Sequence, residues 1–192
     1  MVTISLVSCD DDLEAIRLLQ RENLFKYIDS EEAAKEGFVT AEYTYDFLKL
    51  MNDGSPSIIA KDGDILVGYA LVARKESVFG KFHPLLDDLY TEIDKTAYQI
   101  SDNEEIVLGN ESYVVVGQVC VKKGYRSNGL LQDMYAYYRD CYSNTFQYVV
   151  TDVARTNMRS VKAHMKRGFK VLRSIELVGK TFEIIIWDWR KE

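Results

Sequence analysis

The sequence predicts an α/β fold of the α+β kind: a mixed, mostly antiparallel central sheet of about seven strands, flanked by helices and carrying one parallel βαβ unit. Three observations predict it. Short runs rich in β-branched and aromatic residues recur at 2–7, 57–61, 65–74, 113–121, 147–153, 170–177 and 181–189. Segments between them repeat their apolar residues three and four positions apart, as on one helix face. The runs at 113–121 and 147–153 are separated by such a segment, the spacing of a parallel pair with a right-handed crossover, whereas the turns at Asp62-Gly63 and Val178-Gly179-Lys180 join antiparallel neighbours. At 192 residues and 47% hydrophobic, the chain is long enough for one well-buried core and short for two, so a single domain spanning 1–192 is expected.

Taken in order, Val2 to Val7 alternates as an opening strand. Cys9-Asp10-Asp11-Asp12 then supplies the N-cap and first-turn acids of a helix carrying Leu13, Ile16, Leu19, Leu24 and Phe25. The charged run at 29–36 reads as solvated, and a second helix is expected from Phe38 and Thr40 through Tyr43, Phe47, Leu48 and Met51, bracketed by Gly37 and Gly54. A β-hairpin follows around Asp62-Gly63, with Gly68 marking a bulge. From Glu76 to Glu111 runs a long excursion with a helix over Pro84 to Asp94, whose Leu85, Leu86, Leu89 and Ile93 share one face. Its acids Asp87, Asp88, Glu92 and Asp94 read as a solvated face, and connections this long are often binding loops.

Tyr113-Val-Val-Val-Gly-Gln-Val-Cys-Val121 is so continuously apolar that it reads as a central strand covered on both faces. Past a basic turn, Arg126-Ser-Asn-Gly129 leads into a helix with Leu130, Leu131, Met134, Tyr135, Tyr138, Cys141 and Tyr142 on one face. The N–H groups at that helix start have no intrahelical partner and sit at the positive end of the dipole, and Gly129 puts no Cβ in the way, so the turn suits a phosphate or pyrophosphate. Beyond the strand at 147–153, Asn157 caps a helix through Met158, Val161 and Met165 that ends at Gly168-Phe169. Trp187 and Trp189 close the last strand as core or as a dimer contact.

Composition narrows the function classes. A net charge of −6 argues against general nucleic-acid or anionic-membrane binding, because both require a basic face. No stretch approaches the roughly 20 apolar residues of a membrane span, and the N-terminus lacks a basic flank and cleavage site, so a cytoplasmic protein is expected. Cys9, Cys120 and Cys141 are odd in number and far apart, and His83 and His164 are the only histidines, so neither a disulfide framework nor a metal site is expected. The Cys120 thiol reads as a small buried hydrophobe.

Two ordered motifs resemble those of the GNAT superfamily of acetyl-CoA-dependent N-acetyltransferases. In the first, the apolar triplet Val119-Cys120-Val121 is followed by Arg126, Gly129 and, where the family has Gly or Ala, Leu131. In the second, Asn157, Ser160, His164 and Gly168-Phe169 keep the family's spacing, with His164 where Tyr is usual. Asn157 and His164 are nearly two helical turns apart, on one face and about 10 Å along the axis, so a long thin ligand can touch both. Ser160 and His164 as a hydrolase pair lack the strand–Ser–helix elbow and an orienting acid.

The resemblance implies direct acetyl transfer from acetyl-CoA, as co-substrate, to a primary amine of a small molecule or peptide. It implies cofactor contacts at Val119, Cys120, Val121, Arg126, Ser127, Asn128, Gly129, Leu130, Leu131, Gln132, Asn157 and Ser160. It places the Cys120 backbone amide on the thioester carbonyl and makes His164 the acid that protonates the departing thiolate. It also puts Phe38, Tyr43 and Tyr45 on the acceptor wall and marks 76–111 as a helical insertion. Where some relatives carry a glutamate base the chain has Val115, leaving water or an acid such as Glu111 or Asp152 as open options. The alternative is an inactive acyl-CoA-binding sensor or interaction module, and a homodimer is compatible with either.

Overall fold

The computed structural model describes residues 1–81 and 83–191. In chain order it runs β1 (Val2–Leu6), α1 (Asp10–Glu22), α2 (Ser30–Glu36), α3 (Tyr45–Gly54), β2 (Ile58–Asp62), β3 (Ile65–Ala73), α4 (Lys75–Val78) and α5 (Pro84–Asp94). There follow β4 (Ala97–Ser101), β5 (Glu104–Val107), β6 (Tyr113–Val121), α6 (Leu130–Tyr142), β7 (Tyr148–Ala154), α7 (Met158–Arg167), β8 (Lys170–Leu177) and β9 (Lys180–Asp188). A seven-stranded sheet has the order β1-β2-β3-β6-β7-β9-β8, and every pair in it is antiparallel except β6–β7. The mixed sheet and its βαβ unit are as the sequence predicts.

That parallel pair is the feature that positions a site. β6 and β7 stay in register only from Tyr113↔Tyr148 to Val115↔Val150, after which they part. A bulge in β6 accompanies the parting: Val72 pairs with Val116 but Ala70 pairs with Val119, so three steps on β6 face two on β3. The extra residue shifts the alternation, so Val114 and Val116 before it and Val119 and Val121 after it lie on the same face of the sheet. Gly117 sits at the bulge, where an added Cβ would stand 3.4 Å from Ala73 Cβ and Met51 Sδ.

Each face of the sheet buries its own core. On one, Ile16, Leu48, Met51, Leu89, Tyr90 and Ile93 from α1, α3 and α5 pack on Tyr69, Leu71, Val115, Val150, Ile184 and Ile186. On the other, Met134, Tyr135 and Tyr138 of α6, with Phe169, pack on Val67, Val72, Val116, Val149, Ile185 and Trp187. The alternation of Ile184, Ile185, Ile186 and Trp187 between the two clusters is the period-two pattern of a strand covered on both sides. Trp187 and Trp189 are therefore core residues, 2% and 6% exposed, rather than a dimer contact. No described helix is long and apolar enough to cross a membrane.

Three local expectations are corrected. The charged run at 29–36 is largely solvated, as expected, but is also helical, forming α2, where Asp29 accepts the Glu32 N–H at 2.8 Å as N-cap and Gly37 ends the helix. The next helix starts at Tyr45, with Thr44 as its N-cap, and not at Phe38. The intervening chain is extended because Gln20 clamps Tyr43 through both backbone groups, at 2.8 and 3.0 Å, and Val39 bridges to Leu24. The excursion at 76–111 contains, besides α5, the two-stranded β4–β5 hairpin. Three of its acids are engaged, Asp94 pairing with Lys75 and accepting from Tyr113 Oη at 2.8 Å, Glu92 pairing with Arg173, and Asp87 accepting from Gly80 N–H, while Asp88 is exposed as expected.

Candidate active site

Where β6 and β7 part, a groove of about 350 Å³ opens between the β6 end, the turn into α6, and α7. The turn holds Ser127 and Gly129 in left-handed conformations, φ 68° and 84°. Such interspersed left-handed residues aim successive N–H groups into one concavity, the form of an anion nest, and the free N–H groups of α6 extend it. Of the cofactor contacts expected from the sequence, residues 119–121, Arg126, Ser127, residues 129–132, Asn157 and Ser160 all line this groove; Asn128 does not.

Arg126 lines the groove with its guanidinium already engaged. Its Nε donates to Val121 O and its Nη1 to Glu36 O, both at 2.7 Å, and its Nη2 donates to Asn23 Oδ1. It therefore clamps the turn to α1 and α2. Sequence reasoning missed Arg159 and Lys166, two further cations on the groove. Arg159 donates to Lys35 O and Ser127 Oγ, both at 3.0 Å, and stands 3.3 Å from Glu36. Their seven-residue spacing, which puts them on one face of α7, was the available signal.

The backbone of β6 sorts its own amides. Lys122 N–H donates to Val67 O at 2.8 Å, toward β3. Along an extended strand successive N–H groups alternate sides, so the Cys120 N–H also faces β3, while those of Val119 and Val121 face the groove. The expected role of the Cys120 amide thus moves to its neighbours. The Cys120 thiol is 6% exposed, and burial pushes its pKa up to about 12, which makes it an inert packing group.

His164, at the inner end of the groove, is 1% exposed and held through both ring nitrogens. Nδ1–H donates to Ser160 O at 2.8 Å, which leaves Nε2 to accept from Tyr135 Oη–H at 2.7 Å. Phe169 meets the ring edge-on, with centroids 5.1 Å apart. Burial lowers the His164 pKa to about 4, so the ring is neutral near pH 7. A neutral imidazole whose one N–H is bonded to a carbonyl has no proton to give, which corrects its assignment as the acid. Two nearby tyrosines do not replace it: Tyr135 is the buried donor to His164, and Tyr125 Oη donates to Asp62 at 3.0 Å. Ser160, half-buried beside His164, places a hydroxyl where both cavities meet.

A smaller chamber of about 80 Å³ lies on the far side of the parting and shares Phe38, Val39, Val119, Asn157, Ser160 and His164 with the groove. The two adjoin across these shared residues. Asn157 holds the shared wall: its Oδ1 accepts from Ser160 N–H at 3.3 Å as the predicted N-cap, and its Nδ2 donates to Phe38 O at 2.8 Å. Gly37, at φ 77° and ψ 173°, brings the chain there so closely that a Cβ would lie 3.0 Å from Asn157 Oδ1. Of the acceptor-wall candidates, Phe38 and Tyr43 line the chamber and Tyr45 does not. Among the lining residues the one charged group is Asp152, on the parted segment of β7, and burial raises its pKa from 3.8 to about 6. Glu111, the other acid left open, precedes β6 at the opposite end from the parting, where Ser112 O receives the Gln147 and Tyr148 N–H groups.

No protein-family model matches the chain, and no curated protein matches it in sequence. Solved structures match it in fold. NAA60 of Arabidopsis thaliana, in complex with acetyl-CoA, superposes with a TM-score of 0.64 at 16% identity over 98% of this chain and 99% of that chain. A Desulfovibrio desulfuricans protein described as an acetyltransferase of the GNAT family gives 0.61 at 12% over 98% and 99%. Naa50 of Arabidopsis thaliana, in complex with the bisubstrate analogue CoA-Ac-MVNAL, gives 0.60 at 13% over 97% and 98%. The chain has the fold of the GNAT acetyltransferases.

Proposed function

We propose that this protein transfers an acetyl group from acetyl-CoA to a primary amine. The observation that carries the reading is the adjoining pair of cavities at the parting of β6 and β7, with an anion nest in one and a single half-buried carboxylate in the other. Acetyl-CoA fits the groove by chemistry: the nest and α6 start suit the pyrophosphate, Lys166 and Arg159 suit further phosphate charge, and the exposed β6 edge offers amides to the pantetheine and thioester. Two of its structural neighbours were solved with acetyl-CoA or a CoA conjugate, which agrees.

In this reading the ammonium of the acceptor enters the chamber and loses one proton to Asp152. A pKa of about 6 keeps that carboxylate ionised near pH 7 yet basic enough to accept a proton. The neutral nitrogen attacks the thioester carbonyl, whose developing negative charge falls to the Val119 or Val121 N–H. The C–N bond forms, the C–S bond breaks, and the second proton from nitrogen ends on the thiolate, released as CoA thiol. Ser160 Oγ–H supplies a hydrogen bond to the sulfur. Asn157, His164 and Tyr135 position that wall without exchanging protons.

The neutral, doubly bonded His164 is the observation that favours the second reading, a CoA-binding sensor without turnover. Thiol release measured with acetyl-CoA against a panel of amines and peptides decides. Release that depends on an amine supports transfer, whereas tight CoA binding without release to any acceptor supports the sensor.

A further inference from the structure

The acceptor chamber carries an inference about substrate class, which rests on the amine-transfer reading. We infer that the acceptor is a compact amine with an apolar body, its nitrogen on Asp152 and its carbon skeleton against Leu85, Leu86 and Leu89 of α5.

Three observations lead there. First, the side chains of Tyr43, Thr151, Gln118, Asn157 and His164 around the chamber are already paired within the protein, which leaves the Thr40 and Ser160 hydroxyls. Tyr43 Oη donates to Gly117 O at 3.0 Å, and Thr151 Oγ1 donates to Val116 O at 2.8 Å. Gln118 donates to Ala41 O at 2.8 Å while accepting from Tyr69 Oη at 2.6 Å, and Asn157 and His164 are each bonded at both polar atoms. Asp152 remains, with one negative charge to meet one cation. A second polar group on the acceptor would be desolvated with just the Thr40 and Ser160 hydroxyls among the lining side chains to receive it.

Second, the chamber is small. Its interior of about 80 Å³, with each water-sized occupant taking roughly 10–15 Å³, seats on the order of five to eight non-hydrogen atoms, and anything longer must leave by its open side.

Third, the apolar wall is fixed. α5 presents Leu85, Leu86 and Leu89 to the chamber and is held by Lys75–Asp94, by Tyr113 Oη on Asp94, by Glu92–Arg173 and, within the core, by Tyr90 Oη on Ala73 O at 3.0 Å. A peptide continuing past its first residue would bring N–H and C=O groups into this space, where each needs a partner. None of α5 lines the cofactor groove, so this selection is separable from CoA binding.

The test uses the full chain and four acceptors: 3-methylbutylamine, 4-aminobutan-1-ol and 1,4-diaminobutane, each with six non-hydrogen atoms by formula (about the size that fits), and a tetrapeptide beginning with leucine. CoA thiol release is the readout. The expected result is a kcat/KM for 3-methylbutylamine about 10- to 100-fold above that for the amino alcohol, the range an apolar pocket gives against an added polar group, with the diamine and peptide lower still. Leu85→Asn, at a half-buried position, should lower the ratio of 3-methylbutylamine to amino alcohol by about tenfold while calorimetry finds CoA affinity unchanged. Preference for the amino alcohol, diamine or peptide overturns the inference and leaves amine transfer standing. An unchanged ratio in Leu85→Asn overturns the role of α5. Release with no acceptor overturns both this inference and the transfer reading beneath it.

Discussion

Asp152→Asn removes the charge from the acceptor chamber while keeping the shape of the side chain, so it separates what the carboxylate does from what it fills. The parent group titrates near pH 6, lifted from 3.8 by burial. At pH 5 about a tenth of it is ionised and at pH 7 about nine tenths, so kcat/KM should rise about tenfold per unit below pH 6 and flatten above, until the acceptor's own ionisation adds a second limb. The variant should lose the limb at pH 6 and fall by about 10²- to 10⁴-fold at pH 7.5, the usual contribution of a general base. Stability should move the other way. A carboxyl whose folded pKa lies above its unfolded value contributes stability that is complete below pH 3.8 and lost as pH rises through 6, so the ionised form is a cost at neutral pH. Removing it should stabilise the protein at pH 7 by up to about 3 kcal/mol and by almost nothing at pH 3.5. Urea unfolding at the two pH values and initial rates of thiol release across pH 5–9 supply both measurements. If the limb near pH 6 survives in Asp152→Asn, or its rate stays within about threefold of the parent, Asp152 is not the base.

Further expectations follow from the surroundings of the other groups. His164 should show no titration between pH 5.5 and 8 by NMR and should carry its proton on Nδ1; a midpoint near 6.5 would contradict its burial. Because its folded pKa lies below its unfolded one, it should also make stability fall as pH drops from about 6.5 toward 4, and replacing it by a non-titrating residue should flatten that slope. His164→Ala should cost about 2–4 kcal/mol in urea unfolding, since it opens a cavity and strands Tyr135 Oη; a loss under about 1 kcal/mol would refute that packing. Gly129→Val should weaken CoA binding in calorimetry: the residue sits at φ 84° with open space where a side chain would enter the nest, and the strain alone is about 1–2 kcal/mol, so an unchanged affinity would move the phosphates elsewhere. Arg126→Ala should lower stability by about 1–3 kcal/mol along with CoA affinity, because it frees the turn from α1 and α2; lost affinity with unchanged stability would make Arg126 a direct phosphate ligand instead.

What the chain determines by itself is what neighbours in sequence decide. The strand at Tyr113–Val121, the helix start at Gly129, the cap of Asn157 on Ser160 and the Gly168 stop depend on hydrophobic period, φ preference and bonds spanning a few residues, and all are legible without coordinates. So is Pro84–Asp94, with proline in its first turn and a leucine face. The site's chemistry is decided across the fold. Residues 38–44 look helical in pattern but are drawn extended by Gln20, 23 residues before Tyr43. His164 reads as an acid on its helix until Tyr135, 29 residues away, takes its free nitrogen and a core of Phe169 and Trp187 closes over the pair. Asp152 is one acid among thirty Asp and Glu residues in the sequence. Only the parting of two strands, and α5 from the distant segment 76–111 standing opposite, give it a desolvated position and a raised pKa. Desolvation and hydrogen-bond partnership belong to the surroundings of a group, and those surroundings come into being only when the chain closes on itself.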